Sequence, residues 1–379
     1  MIVLYYLPSL YTSGGLERII TFKANYLADV CGYNVIILTS EQCGKNPYFK
    51  LSQNVKHIDL DVVFDMDKCS SKIIKALKYP FKFYLFKKRF KRALFSIRPN
   101  ITISTLRREL NFINSINDGS IKIGEFHITR SAYHTKAIHS SNFIVNLFKK
   151  RLNYVFVKNL SRLSKLVLLT NEEMEFWPEL HNLTVIYNPV TIVPEKLSSC
   201  ENKMVIAVGR YSFQKGFDLL IKAWKTVVES HPDWILNIYG EGNKEKLDSI
   251  INEFNLSNSC FLLPPVGNIV EKYIESSIFV LSSRYEGFGM VLCEAMTCGL
   301  APVSFDCKCG PKDIITNNSD GILVECGNIS SLASNISFLI KNEEIRKKIG
   351  VNARLSSVRF NEDVIMDKWK SLFDSQASL

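Results

Sequence analysis

With 379 residues and 46% hydrophobic content, the chain is long enough for two domains of ordinary size, each burying its own core. No apolar run reaches the roughly 18 residues that cross a bilayer. Residues 2–7 follow Met1 as an apolar stretch with no basic region or cleavage site, so they read as a first strand rather than a signal peptide and the expected compartment is the cytoplasm. The formal charge of +10 is uneven: residues 1–190 hold 27 Lys+Arg against 14 Asp+Glu and residues 191–379 hold 20 against 23, so an anionic partner is expected at the first half.

In chain order, residues 2–7 read as a strand, 8–15 as a loop ending in Gly14-Gly15, and 16–30 as a helix with Leu16, Ile19, Ile20, Leu27 and Val30 at helical spacing. Further strands are expected at 34–39, 55–60, 101–104, 122–125, 166–170 and 184–187. Strands alternating with helices argue for a doubly wound parallel sheet. Residues 191–203, polar and containing Pro194, read as a linker between a domain of 1–190 and one of 191–379, whose last helix, 361–379, is expected to pack back on the first. The second domain restarts the pattern with strands at 204–208, 235–239 and 261–263 and helices at 217–229 and 244–254. It reaches a strand at 278–283, the loop Arg284-Tyr285-Glu286-Gly287-Phe288-Gly289, and a helix at 290–298 stopped by Gly299.

That strand, glycine loop and helix N-terminus form the place in an open α/β sheet where an anion such as phosphate is favoured, because the first N–H groups of the helix are free and its dipole attracts negative charge. Glu286 in the loop and Glu294 one turn into the helix flank it, and two carboxylates suit neutral hydroxyls beside the phosphate. A second loop after a strand, Val208-Gly209-Arg210 to Lys215-Gly216, places Arg210 and Lys215 at the same edge of the sheet. Two fixed cations neutralise a diphosphate leaving group without a metal.

These residues carry a resemblance. Glu286-x7-Glu294 with Gly-Phe-Gly after the first Glu resembles the signature of retaining glycosyltransferases of the GT-B fold, family 4 (glycosyl transferases group 1). Gly14-Gly15-Leu16-Glu17-Arg18, Glu125-Phe126-His127, Asn188-Pro189-Val190 and the Arg210/Lys215 loop follow in that family's order across nearly the whole chain. The resemblance implies two Rossmann-like domains facing a cleft. It implies a nucleotide diphosphate sugar as donor, with UDP favoured, and a hexose (Gal, GalNAc or Glc) transferred with retention to a lipid-linked or surface-polysaccharide glycan. Residues 310–315 favour the bacterial surface-polysaccharide type. The donor is expected to meet Gly14 and Gly15 on one wall and Arg210, Lys215, Glu241, Val266, Glu286, Gly287, Phe288, Gly289, Met290, Val291 and Glu294 on the other. His127 is expected beside the transferred sugar; a structural histidine stays open, with His134 and His139 near it in sequence.

Segment 68–108 holds thirteen Lys or Arg, from Lys68 to Arg108, no Asp or Glu, and seven interleaved Phe or Tyr. It reads as a basic, aromatic-rich helix or helix pair interrupted at Pro80. A solvated helix face, an anionic membrane surface and single-stranded nucleic acid all suit this composition. The membrane reading is preferred, with the protein peripheral at the inner face of the plasma membrane, over a nucleic-acid-binding protein without enzymatic activity. Asp59-Leu60-Asp61 and Asp65-Met66-Asp67 match the D-x-D of metal-dependent transferases, but lie apart from the other motifs and read as a solvated strand end. Cys293, Cys298, Cys307 and Cys309 lack the spacing of a zinc site. No metal or other cofactor is expected.

Overall fold

The computed structural model describes residues 1–64, 72–130 and 143–378. Asp65, Met66, Asp67, Lys68, His134 and His139 lie outside the described residues. Two all-parallel sheets account for the fold. The first has seven strands, β1 (Ile2–Tyr6), β2 (Asn34–Thr39), β3 (Val55–Asp59), β4 (Ile101–Ser104), β5 (Ile121–Phe126), β6 (Lys165–Leu168) and β7 (Leu183–Val185), in the order β3-β2-β1-β4-β5-β6-β7. The second has β8 (Met204–Val208), β9 (Ile235–Tyr239), β10 (Cys260–Leu263), β11 (Ile278–Leu281), β12 (Ala301–Asp306) and β13 (Ile322–Glu325), in the order β10-β9-β8-β11-β12-β13. Counted from its own first strand, the second sheet repeats the order of the first without its seventh strand. Chain order reverses between β1 and β4 and between β8 and β11, and a ligand of such a sheet sits beyond the carboxyl ends of those pairs.

β1, β8 and β11 are apolar at every position because helices cover both faces of each sheet. Val3, Tyr5, Ile37, Ile103 and Ile123 pack on one face of the first sheet with Ile20, Ala24 and Leu27 of the helix Gly15–Asp29. Ile365, Met366, Trp369 and Phe373 of the last helix, Glu362–Ala377, join the same core. The C-terminus of the chain thus closes the N-terminal domain, and Tyr26 donates to Asp363 at 2.6 Å beside it. The other face carries the helix Lys72–Ile97, which buries Phe86, Phe90 and Leu94 among Leu4, Tyr6 and Phe112.

Contrary to the sequence expectation, Lys72–Ile97 runs unbroken through Pro80. Proline lacks an N–H and leaves the carbonyl four residues earlier without its helical partner. Here both Ala76 and Pro80 are exposed, so this turn of the helix lies outside the core.

Candidate active site

The carboxyl ends of β8 and β11 carry the two loops singled out in the sequence, and the fold stitches them together. After β8 the chain makes one short turn of 3-10 helix, Phe213–Lys215, then Gly216 at φ 63°. Its hydrogen bonds run to the loop after β11: Ser282 Oγ donates to the Lys215 carbonyl at 2.9 Å, Arg284 N–H to the Gln214 carbonyl at 2.8 Å, and Gln214 Nε2 to the Tyr285 carbonyl at 3.1 Å. Arg284 grips Asp218 with two bonds of 2.9 and 2.7 Å and lies over the Phe213 ring. Arg284 is therefore a scaffold residue, and burial acts on Asp218 against this fork, which holds its carboxyl below the usual range.

Within that frame Lys215 Nζ lies 2.7 Å from Glu286 Oε1, which also accepts from Ser283 Oγ at 2.5 Å. Glu286 is only 6% exposed, so its charge is balanced in place. Four residues on, the helix Met290–Thr297 starts at Gly289, φ 105°, with no side chain capping its first turn. Glu294 is 2% exposed and accepts from Tyr273 Oη at 3.3 Å and from Arg18, which reaches over from the first domain. Sequence spacing gave no sign that Arg18, 276 positions away, pairs with Glu294.

The glycine loop presses against the first domain. A Cβ on Gly287 would come within 2.8 Å of the His127 carbonyl oxygen, and one on Gly310 within 2.0 Å of the Phe288 carbonyl, so neither position accommodates a side chain without movement of the backbone. The Phe288 side chain turns inward, stacking on Tyr187 at 5.6 Å and meeting Phe360 edge-on, which leaves its backbone for any ligand. Met290, Val291 and Val266 are half-buried against the core beside the same helix.

On the opposite wall, Gly15 opens the helix Gly15–Asp29 and has nothing within 4 Å of its Cβ position, whereas Gly14 adjoins the Glu17 carboxylate. Ser13 Oγ reaches Glu241 Oε1 across the cleft at 3.4 Å. Arg210 is exposed on its loop.

His127 follows β5, and its Nε2 lies 3.0 Å from Glu125 Oε1 with the geometry of a charge contact rather than an aligned hydrogen bond. Lys23, fully buried under the Trp369 ring, pairs with the same carboxylate oxygen. Burial pushes the Glu125 carboxyl up, but Lys23 and His127 outweigh it and bring it down to about 2. Burial lowers Lys23 in spite of its partner. The direction that governs the pair is that of Glu125, whose Oε1 faces both the Lys23 ammonium and the His127 ring. Neither Lys23 nor Glu125 was singled out in the sequence as part of a site; the Glu125-Phe126-His127 spacing was the signal available.

Asp59 is tied to its strand end by Thr39 Oγ1 at 2.8 Å, and Asp61 sits at φ 50° with its carbonyl accepting from Arg89. Among the described residues no group of three or more His, Cys, Asp or Glu is gathered to hold a metal ion. The described cysteines are free, and burial pushes the Cys298 thiol up to about 12.

Residues 191–356 match the family model of glycosyl transferases group 1. An uncharacterized glycosyltransferase of Haemophilus influenzae is 28% identical over 97% of this chain and 98% of its own. A Campylobacter jejuni N-acetylgalactosamine-N,N'-diacetylbacillosaminyl-diphospho-undecaprenol 4-alpha-N-acetylgalactosaminyltransferase is 24% identical over 92% of this chain and 93% of its own. Among solved structures, Staphylococcus aureus TarM, in complex with Fondaparinux, alpha-GlcNAc-glycerol and UDP, superposes with a TM-score of 0.78 at 17% identity, covering 98% of this chain and 99% of that one. The fold is GT-B, and these findings support a glycosyltransferase.

Proposed function

We propose that the chain is a retaining glycosyltransferase that moves a hexose from a nucleotide diphosphate sugar, UDP-linked, to a hydroxyl of a lipid-linked or surface-polysaccharide glycan. The observation that carries this reading is the cleft itself. The loop holding Glu286, tied to the loop holding Lys215, lies through Gly287 against the backbone of His127, so a phosphate-neutralising cation, a carboxylate and an imidazole from two domains border one space. UDP in the TarM structure and the diphospho-undecaprenol acceptor in the name of the Campylobacter relative favour the donor and acceptor classes.

In this reading Arg210, Lys215 and the Met290–Thr297 helix N-terminus compensate the diphosphate as the sugar–phosphate bond breaks. Gly15, with Gly14 before it, gives the phosphate a bare backbone wall on the other side. Glu294 accepts from the ribose, Glu286 orients hydroxyls of the sugar, and His127 stands beside the sugar as its positive charge develops. The acceptor oxygen attacks from the face the diphosphate is leaving, the new C–O bond forms as the old one breaks, and a departing phosphate oxygen takes the acceptor proton, so the anomeric configuration is kept. Glu241 and Val266 border the nucleotide. The cations do the work of a metal, so none is required.

The helix Lys72–Ile97 supplies the contact with an anionic membrane: Lys87, Lys88, Lys91 and Arg92 are exposed, as are Leu77 at 75%, Phe81 at 70% and Tyr84 at 62%. Among the described residues no helix is long and apolar enough to cross a membrane. A thermal-shift comparison of UDP, GDP, ADP and their sugars tests the proposal. UDP and UDP-hexoses raise the melting temperature because they bind the folded chain alone; no response to any nucleoside diphosphate would overturn it.

A further inference from the structure

The two carboxylates of the cleft are both covered, and by the same kind of partner. Lys215 sits on Glu286 and Arg18 on Glu294, each a cation held against an almost fully buried carboxylate. Glu294, at 2% exposure, has one oxygen under the Arg18 guanidinium and the other on Tyr273, so a ribose has no direct approach to it while Arg18 stays in place. Arg18 itself is placed to leave. Its side chain is 28% exposed, its Nε is buried without a hydrogen-bond partner, and it stands one turn beyond Gly14 and Gly15 on the wall that faces open space. A guanidinium with one of its five N–H donors lodged on a carboxylate and its Nε unmet is a fork suited to phosphate oxygens.

We propose that Arg18 is a ligand of the donor diphosphate contributed by the N-terminal domain, and that its ion pair with Glu294 is a latch which the nucleotide exchanges for two better-matched contacts. The diphosphate takes the guanidinium, and the ribose hydroxyls take the vacated Glu294 oxygen. Lys215 and Glu286 undergo the same exchange on the sugar side. Two cation–carboxylate pairs line the cleft; when the anionic diphosphate enters, the cations turn to it and the carboxylates turn to neutral hydroxyls, while Arg210 and the Met290–Thr297 helix N-terminus help offset the added negative charge. Because Arg18 and Glu294 belong to different domains, opening the latch also releases one tie between them. The inference rests on the reading of the cleft as a nucleotide diphosphate site.

The exchange leaves a signature that a purely structural ion pair does not. Calorimetric or NMR titrations of UDP and of uridine are run on the full-length parent, Arg18→Ala and Arg18→Lys, with the melting temperature of each recorded. Arg18→Ala loses roughly tenfold in UDP affinity, as expected for loss of a charge-assisted contact, while uridine binds as well as to the parent or more tightly, since Glu294 is freed. Arg18→Lys recovers part of the UDP affinity. Unchanged UDP binding in Arg18→Ala, or equal weakening of UDP and uridine, would overturn the assignment, and equal weakening with a lowered melting temperature would mark the pair as a domain tie. If the parent binds no nucleoside diphosphate, the nucleotide-site reading fails together with this inference; if the parent binds UDP and Arg18→Ala binds it equally, this inference fails alone.

Discussion

The two domains share one order over six strands but hold the residues that border the cleft by different means. In the C-terminal domain the polar groups lie on two short loops and are held by local fixtures: the Arg284–Asp218 fork, Ser283 on Glu286, Ser282 on the Lys215 carbonyl. In the N-terminal domain His127, on the strand next to the switch-point pair, rests on a buried charge pair assembled from a helix and a strand, Lys23 and Glu125, with Trp369 of the last helix laid over it. One wall is preorganised by its own loops and the other by the core beneath it. Damage should therefore propagate differently: a change in the second domain's loops should alter chemistry, and a change under His127 should first alter folding.

The largest expected effect lies on the buried side. Lys23→Met removes the ammonium from a fully buried pair and leaves Glu125 desolvated, a change that costs about 3–5 kcal/mol. Urea unfolding of the variant should show the lowered midpoint, and an unchanged midpoint would remove the contrast between the walls. The pH dependence follows from the same group. Glu125 titrates lower in the folded chain than the 4.5 of an ordinary glutamate, so its contribution is complete above about 4.5 and is lost as pH falls toward about 2. Acid unfolding followed across that interval should flatten in the double variant Lys23→Met/Glu125→Gln.

On the other wall, Glu286→Gln should leave the fold standing and lower kcat roughly a hundredfold, since orienting the sugar and stabilising its positive charge matter most in the transition state. Steady-state kinetics beside a melting curve decides it; a melting temperature that falls with kcat would make Glu286 a loop tether like Ser283.

The basic helix of the first domain gives a smaller effect. Replacing Lys87, Lys88, Lys91 and Arg92 by Gln should reduce binding to anionic liposomes by at least about tenfold at physiological salt, with less difference at high salt. Arg89 is left in place because it bonds the Leu60 and Asp61 carbonyls and holds the strand end. Equal binding by variant and parent would refute the membrane surface, and competition by single-stranded RNA would put nucleic acid in its place. The smallest effect is none: transfer should proceed in excess chelator, and activity lost there and restored by manganese would revive the D-x-D alternative.

The same contrast explains what the sequence disclosed. Strand alternation exposed both sheets because fully covered parallel strands are apolar at every position, as Val3 to Tyr6 and Ile278 to Leu281 are. The loops of the second domain were readable because Arg210 lies close to Lys215 and Glu286 close to Glu294 along the chain, each pair beginning just past a strand. Arg18 on Glu294, Lys23 on Glu125 and Asp313 on the Asn171 backbone are separated by over a hundred residues, and no local pattern encodes such pairs. Pro80 misled because the rule counts only proline's local cost, and the packing of Phe86, Phe90 and Leu94 from the same helix lies outside it.

In the proposed function the β8/β11 edge holds a nucleotide with its ribose on Glu294 and its sugar on Glu286. Calorimetric titration of UDP into Glu294→Gln and Glu286→Gln tests it most directly. A charge-assisted bond to a buried hydroxyl is worth roughly 1.5–3 kcal/mol, so Glu294→Gln should bind UDP about ten- to a hundredfold more weakly than the parent, while Glu286→Gln binds it nearly as the parent does. Indistinguishable UDP affinities for the two variants would contradict the assignment, even if both had lost all transfer activity.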